Sequence, residues 1–140
     1  GLGDVYKRQI MDGKLTRAQC LKVVAGGMGL WFVGAITIQF GRPLGLFGPY
    51  LGILYLASVP LIPLSIMLVK WIAGLADGAQ YVVGVALGTA VATACDALLI
   101  SFSPGLYGGY GEGLSQGAAW ILWAGALGFI PPLLSLVRSR

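Results

Sequence analysis

A chain of 140 residues that is 57% hydrophobic, only 10% charged and has a mean hydropathy of +0.85 carries too few charges to solvate the surface of a soluble domain. Its formal charge of +4 is small and gathered near the two ends, which excludes a basic nucleic-acid groove and fits the orientation of a membrane protein. Histidine is absent, which removes His-ligated zinc or haem and every Ser-His or Cys-His nucleophile, and Cys20 and Cys95 lack the CxxC spacing that holds a metal or exchanges electrons.

No cofactor or metal is therefore expected, and both cysteines read as small apolar side chains. The 23 glycines fit the same class, because membrane helices tolerate Gly and use it for close packing.

Residues 2–9, LGDVYKRQ, look like a translated sequencing adapter of the kind that ends metagenomic reading frames. Residues 1–10 are thus read as a non-native leader, Met11 as the natural start and 11–140 as a single membrane domain. A signal peptide is the alternative for this basic start. The apolar run that follows is too long for one, and Gly41-Arg42-Pro43 breaks it.

The first apolar stretch runs from Lys22 to Phe40 and at helical rise covers about 28 Å, close to the hydrocarbon thickness of a bilayer. Thr16 and Gln19 have capping-box spacing, so the helix begins near Arg17 and stops at Arg42 before Pro43. The second stretch, Phe47 to Trp71, contains Pro60 and Pro63, which remove backbone donors and predict a kink, a hinge or carbonyls turned to a cavity.

Asp77 and Gln80 repeat the capping-box spacing before the third stretch, Gln80 to Ser103, which holds the one acid within a span, Asp96. A central Asp costs roughly 2.5–3.5 kcal/mol on insertion scales, and the surrounding Val, Leu, Ile and Phe offset it. Pro104 to Ser115 is Gly- and Tyr-rich and reads as a flexible extramembrane loop. It lacks the Lys-Ser/Thr ending and the strand-to-helix setting of a phosphate-binding turn. The last stretch, Gln116 to Val137, carries Trp120 and Trp123 and is interrupted by Pro131-Pro132.

In a four-span frame, Lys14, Arg17, Lys22, Lys70, Arg138 and Arg140 fall on one side and Arg42 alone on the other. The positive-inside rule then places both termini in the cytoplasm. The expected fold is all-α, an integral membrane four-helix bundle. A β-barrel is excluded by runs that are continuously apolar and do not alternate. Tyr50, Trp71, Tyr81, Tyr107 and Tyr110 are expected at the membrane interfaces.

On the third helix Gly84, Gly88, Ala92 and Asp96 recur every four residues, so small residues lead up to the acid on one helix-packing face, flanked by Thr89 and Thr93. An intramembrane carboxylate turns to the bundle interior or to water. The candidate polar site is an Asp96–Arg42 ion pair supported by Gln39 and Thr93, lining a small cavity that opens on the Arg42 side. The alternative leaves Arg42 in the headgroups at the carboxyl end of its helix, with Asp96 as a structural hydrogen-bonding residue. Trp31, Trp120 and Trp123 are candidates to stack on a ligand or, more simply, to pack between helices.

A Gly29-Leu30-Trp31 centre in the first helix, the prolines of the second, Cys95-Asp96-Ala97-Leu98 leading to Phe102-Ser103-Pro104, and Ala118-Ala119-Trp120-Ile121-Leu122-Trp123 in the last make up an order that resembles small four-helix bacterial membrane proteins catalogued as domains of unknown function. That resemblance implies a four-helix fold in a bacterial inner membrane and supplies no substrate. Small multidrug-resistance transporters share the size and span count, yet they place an essential Glu in the first helix, where this chain has none.

The expected function is that of a non-enzymatic, multi-pass inner-membrane protein with a polar site at Asp96. The alternatives are a small, proton-coupled transporter and an accessory subunit of a larger membrane complex. The expected partners are the lipid bilayer and a homo-oligomer or larger membrane complex, with no nucleic acid. A membrane enzyme using Asp96 as a base lacks a second catalytic group.

Overall fold

The computed structural model describes residues 1–5, 7 and 13–138, and the expected start at Met11 lies outside them. Five helices follow in order: α1 (Arg17–Gly41), α2 (Leu51–Ala73), α3 (Ala79–Phe102), α4 (Glu112–Gly128) and α5 (Ile130–Arg138), with a 3-10 turn, Pro104–Tyr107, between α3 and α4. Among the described residues there is no strand. Counting α4 and α5 as one interrupted rod, four helices are long and apolar enough to cross a membrane. The architecture is the all-α four-helix bundle that the apolar runs predict.

Local chemistry sets most of the boundaries. Thr16 accepts from the Gln19 backbone and Gln19 returns a bond to the Thr16 backbone, so the expected capping box opens α1. Arg42 caps its other end. Residues 43–50 then form turns instead of the start of a helix. Leu46 donates back to Gly41, Gly45 holds φ +80°, and Phe47 is buried before α2 begins at Leu51.

Gly74, at φ +64°, ends α2 with Leu75 donating to Lys70 across the turn, a pairing that satisfies the last carbonyls and drives Leu75 into the core. The second expected capping box does not form. Gly78 takes the cap position of α3 with φ +78°, Asp77 turns to Lys70 and Ser135, and Gln80 accepts from Ala76. At the far end, Pro131 and Pro132 cannot donate to the preceding turn, and the last rod breaks at Phe129.

The most extensive helix contact is α1 against α3, α2 packs to a similar extent against α1 and α4, and α3 meets the last rod mainly through α5. The α1–α3 contact is the closest. A Cβ on Gly27 would lie 2.9 Å from the Cα of Gly88, so only glycine permits this approach. Gly84 is buried beneath Leu75, whose Cδ1 would stand 2.6 Å from an added Cβ. Large apolar side chains such as Leu56, Phe102 and Leu122 point outward, as a lipid solvent requires.

Candidate functional site

Two apolar clusters divide the interior. Val23, Ala73, Leu75, Tyr81 and Val85 fill the end near Lys70, and Ile38, Phe47, Tyr107 and Trp120 fill the end near Arg42. Between them lies a cavity of about 190 Å³. Along α3 its lining extends from Gly84 to Asp96, a rise of about 18 Å. Lys70 stands at one end and Asp96 at the other. Most of the remaining lining is carbon, broken by the hydroxyls of Ser65, Thr89 and Thr93.

Asp96 is held from above by the loop. Tyr107, completely buried, donates its hydroxyl hydrogen to Asp96 Oδ1 and accepts from Trp31 Nε1 at 3.2 Å. One phenol thereby links α1, α3 and the 3-10 turn. Burial first, and the adjacent Asp96 carboxylate second, raise the Tyr107 phenol above its ordinary value of 10.0, so it serves as a neutral donor. Ser103-Pro104 lets α3 end and the chain turn back. Gly108 and Gly109, at φ +93° and +82°, then carry it away again after the tyrosine has been inserted.

The expected Asp96–Arg42 ion pair is not formed. Arg42 Nη1 donates instead to the carbonyl of Gly108, and its guanidinium occupies the space that a Cβ on Gly108 or Gly113 would need. The physical reason is the Gly-rich segment itself. It inserts the Tyr107 side chain as a plug at the carboxylate, with Leu106 and Tyr110 left exposed, so the arginine meets backbone first. Residues 104–111 are therefore not the free loop that their composition suggests, and α4 starts at Glu112, earlier than expected.

The other candidates separate in the same way. Thr93 on α3 and Val33 on α1 line the cavity and are also exposed, so the cavity reaches the protein surface beside them. Gly84, Gly88 and Ala92 line it too, with the first two buried against neighbouring elements. Gln39 is exposed and does not line it. Arg42 belongs to a separate open hollow with Phe47, Glu112 and Gln116. The cavity thus runs from Asp96 toward Lys70, and the expected opening on the Arg42 side is closed by the plug.

Both indoles that line the cavity have committed their N–H groups elsewhere, Trp31 to Tyr107 and Trp120 to Ser58 at 2.9 Å. Trp120 also meets Phe47 edge-on, with centroids 5.9 Å apart, while Trp123 stacks on Tyr55 outside the cavity. Among the described residues no group of His, Cys, Asp and Glu is placed to hold a metal ion. Tyr107 escaped the sequence reading, which placed it at an interface. The available signal was its position shortly after Asp96, behind a Ser-Pro-Gly reversal.

Compared with models of known families, with curated proteins and with solved structures, the chain finds no match.

Proposed function

We propose that this chain is a non-enzymatic, multi-pass protein of a bacterial inner membrane, with both termini in the cytoplasm, that takes a small amphiphilic molecule into the cavity below Asp96 and exchanges it for a proton. The observation that carries this reading is a membrane-depth cavity lined at one end by a carboxylate that has no basic partner among the described residues. Burying an ionisable group in a bilayer is costly, and such groups mark substrate or proton paths. The basic residues that gather at the Lys70 end support its placement in the cytoplasm.

Access runs through the seam beside the exposed lining residues Thr93 and Val33, so a solute dissolved in the bilayer reaches the cavity without crossing the plug. That same seam favours a second reading, in which another copy of the chain or a larger membrane complex covers it. Liposomes enclosing a pH-sensitive dye test the first. Protein-dependent proton flux on addition of small amphiphiles is expected to vanish in Asp96→Asn and in Gly125→Leu, which fills the cavity from a position where an added Cβ meets nothing within 4 Å. Flux that persists in Asp96→Asn ends the proposal.

A further inference from the structure

The chemistry left exposed inside the cavity also specifies the charge of its ligand, an inference that rests on the reading of this cavity as a binding site. Near Asp96 the aromatic lining has committed its N–H and O–H donors, and the Thr89 and Thr93 hydroxyls are the neutral donors that remain. The Trp31 and Trp120 N–H groups bond to Tyr107 and Ser58, and the Tyr107 hydroxyl hydrogen goes to Asp96 Oδ1. Among the described residues the Asp96 carboxylate then has the Tyr107 hydroxyl and the Trp31 N–H as its neighbouring side-chain donors, which leaves part of its about four acceptor sites free toward the cavity, beside indoles that otherwise offer their carbon surfaces. Arg42, the basic residue on this half of the bundle, is tied to Gly108 and does not line the cavity.

At the opposite end Lys70 is neutralised by Asp77 and lies 5.0 Å above the Tyr81 ring. An anion would therefore meet a carboxylate answered only by neutral threonine hydroxyls at one end and an already paired lysine at the other. A cation meets a carboxylate with acceptor sites to spare and aromatic faces, the two groups that stabilise it when water is excluded.

We propose that the ligand is an organic monocation, a protonated amine whose ammonium donates to Asp96 Oδ2 while its apolar body lies along Trp31 and Trp120 toward the carbon-lined middle of the cavity. Its aliphatic or aromatic body is held by shape and apolar contact, and its charge is selected by the single acid.

Bromine quenches indole fluorescence on contact, so three ring-brominated probes of one shape and different charge test this directly. They are para-bromophenethylamine, protonated at neutral pH, its uncharged isostere para-bromopropylbenzene, and para-bromophenylpropanoate. A Trp71→Phe, Trp123→Phe background in lipid nanodiscs leaves Trp31 and Trp120 as the reporters. The amine is expected to quench at a concentration about tenfold or more below that of the isostere, with the carboxylate weakest. In Asp96→Asn the advantage of the amine should disappear, and in Gly125→Leu all three should lose quenching.

Equal or stronger quenching by the uncharged isostere, sensitive to Gly125→Leu, overturns the amine assignment and leaves the cavity standing as a site. Quenching by no probe beyond the Gly125→Leu level overturns both. Because the ranking of the three probes is read with Asp96 intact, the test does not depend on Asp96→Asn folding.

Discussion

At the Lys70 end the bundle is closed by several side chains that reach across helices, beside the Lys70–Asp77 ion pair. Gln19 donates to the Gly74 carbonyl at 2.8 Å, Gln80 donates to the Lys14 carbonyl at 2.8 Å, and Ser135 joins Gly78 to Asp77. At the Arg42 end a single inserted segment does the closing, with a buried tyrosine as its tip and an arginine as its strap. Many partly hydrated bonds share the load in the first case. In the second, one side chain satisfies two others in a water-poor interior, where an unmade hydrogen bond costs more. The difference teaches that the same small fold can keep one end closed by redundancy and the other by a unique contact that lies against its only intramembrane carboxylate.

The comparison predicts a graded response to substitution, which thermal unfolding in a fixed detergent or nanodisc can read. The largest effect is expected for Gly108→Val. It forces a β-branched residue to φ +93° and displaces the Arg42 guanidinium, a loss of about 3 kcal/mol or more; stability within error of the parent would show that the plug is not held as described. Tyr107→Phe keeps the ring and removes the bridging hydroxyl, leaving Trp31 and Asp96 unsatisfied, at a cost of about 2 kcal/mol.

A smaller loss, about 1 kcal/mol, is expected for Gln80→Ala at the opposite end, because water reaches the freed Ala76 and Lys14 groups. Should Gln80→Ala exceed Tyr107→Phe, the ranking of the two ends would be reversed. The weakest contribution is that of the exposed Asp77. Its bonds with Lys70 and Ser135 hold the carboxyl below its ordinary value of 3.8. A folded value below the unfolded one adds stability that is complete above about pH 4 and is lost as pH falls through the folded value. Acid titration of the unfolding midpoint should thus show a slightly steeper decline in the parent than in Asp77→Asn, and identical profiles would remove that contribution.

The parts of this structure legible in the sequence are those set by nearest neighbours along the chain. Four apolar runs, the Thr16–Gln19 cap and the four-residue recurrence of Gly84, Gly88, Ala92 and Asp96 are all local patterns, and each has a local cause. The partners of charged side chains are not local. Arg42 and Asp96 stand on adjacent helices, and nothing in their spacing reveals that Tyr107 takes the carboxylate and the Gly108 carbonyl takes the arginine.

Composition misleads there for a physical reason. Glycines that free a loop in water also let a chain reverse at positive φ, so Gly108 and Gly109 turn the backbone away once Tyr107 has been inserted. Asp77 illustrates the same limit on a smaller scale. Its capping-box spacing was genuine, but Lys70 and Ser135, brought near by folding, offered stronger partners than the Gln80 backbone.

A double-mutant cycle on Asp96→Asn and Tyr107→Phe, with unfolding free energies measured in lipid nanodiscs, tests the central contact most directly. The account predicts a coupling of about 1–3 kcal/mol between the two positions, since either change alone strands the other group. Strictly additive losses would mean that the buried phenol does not hold the carboxylate, and the site built on that bond would have to be abandoned.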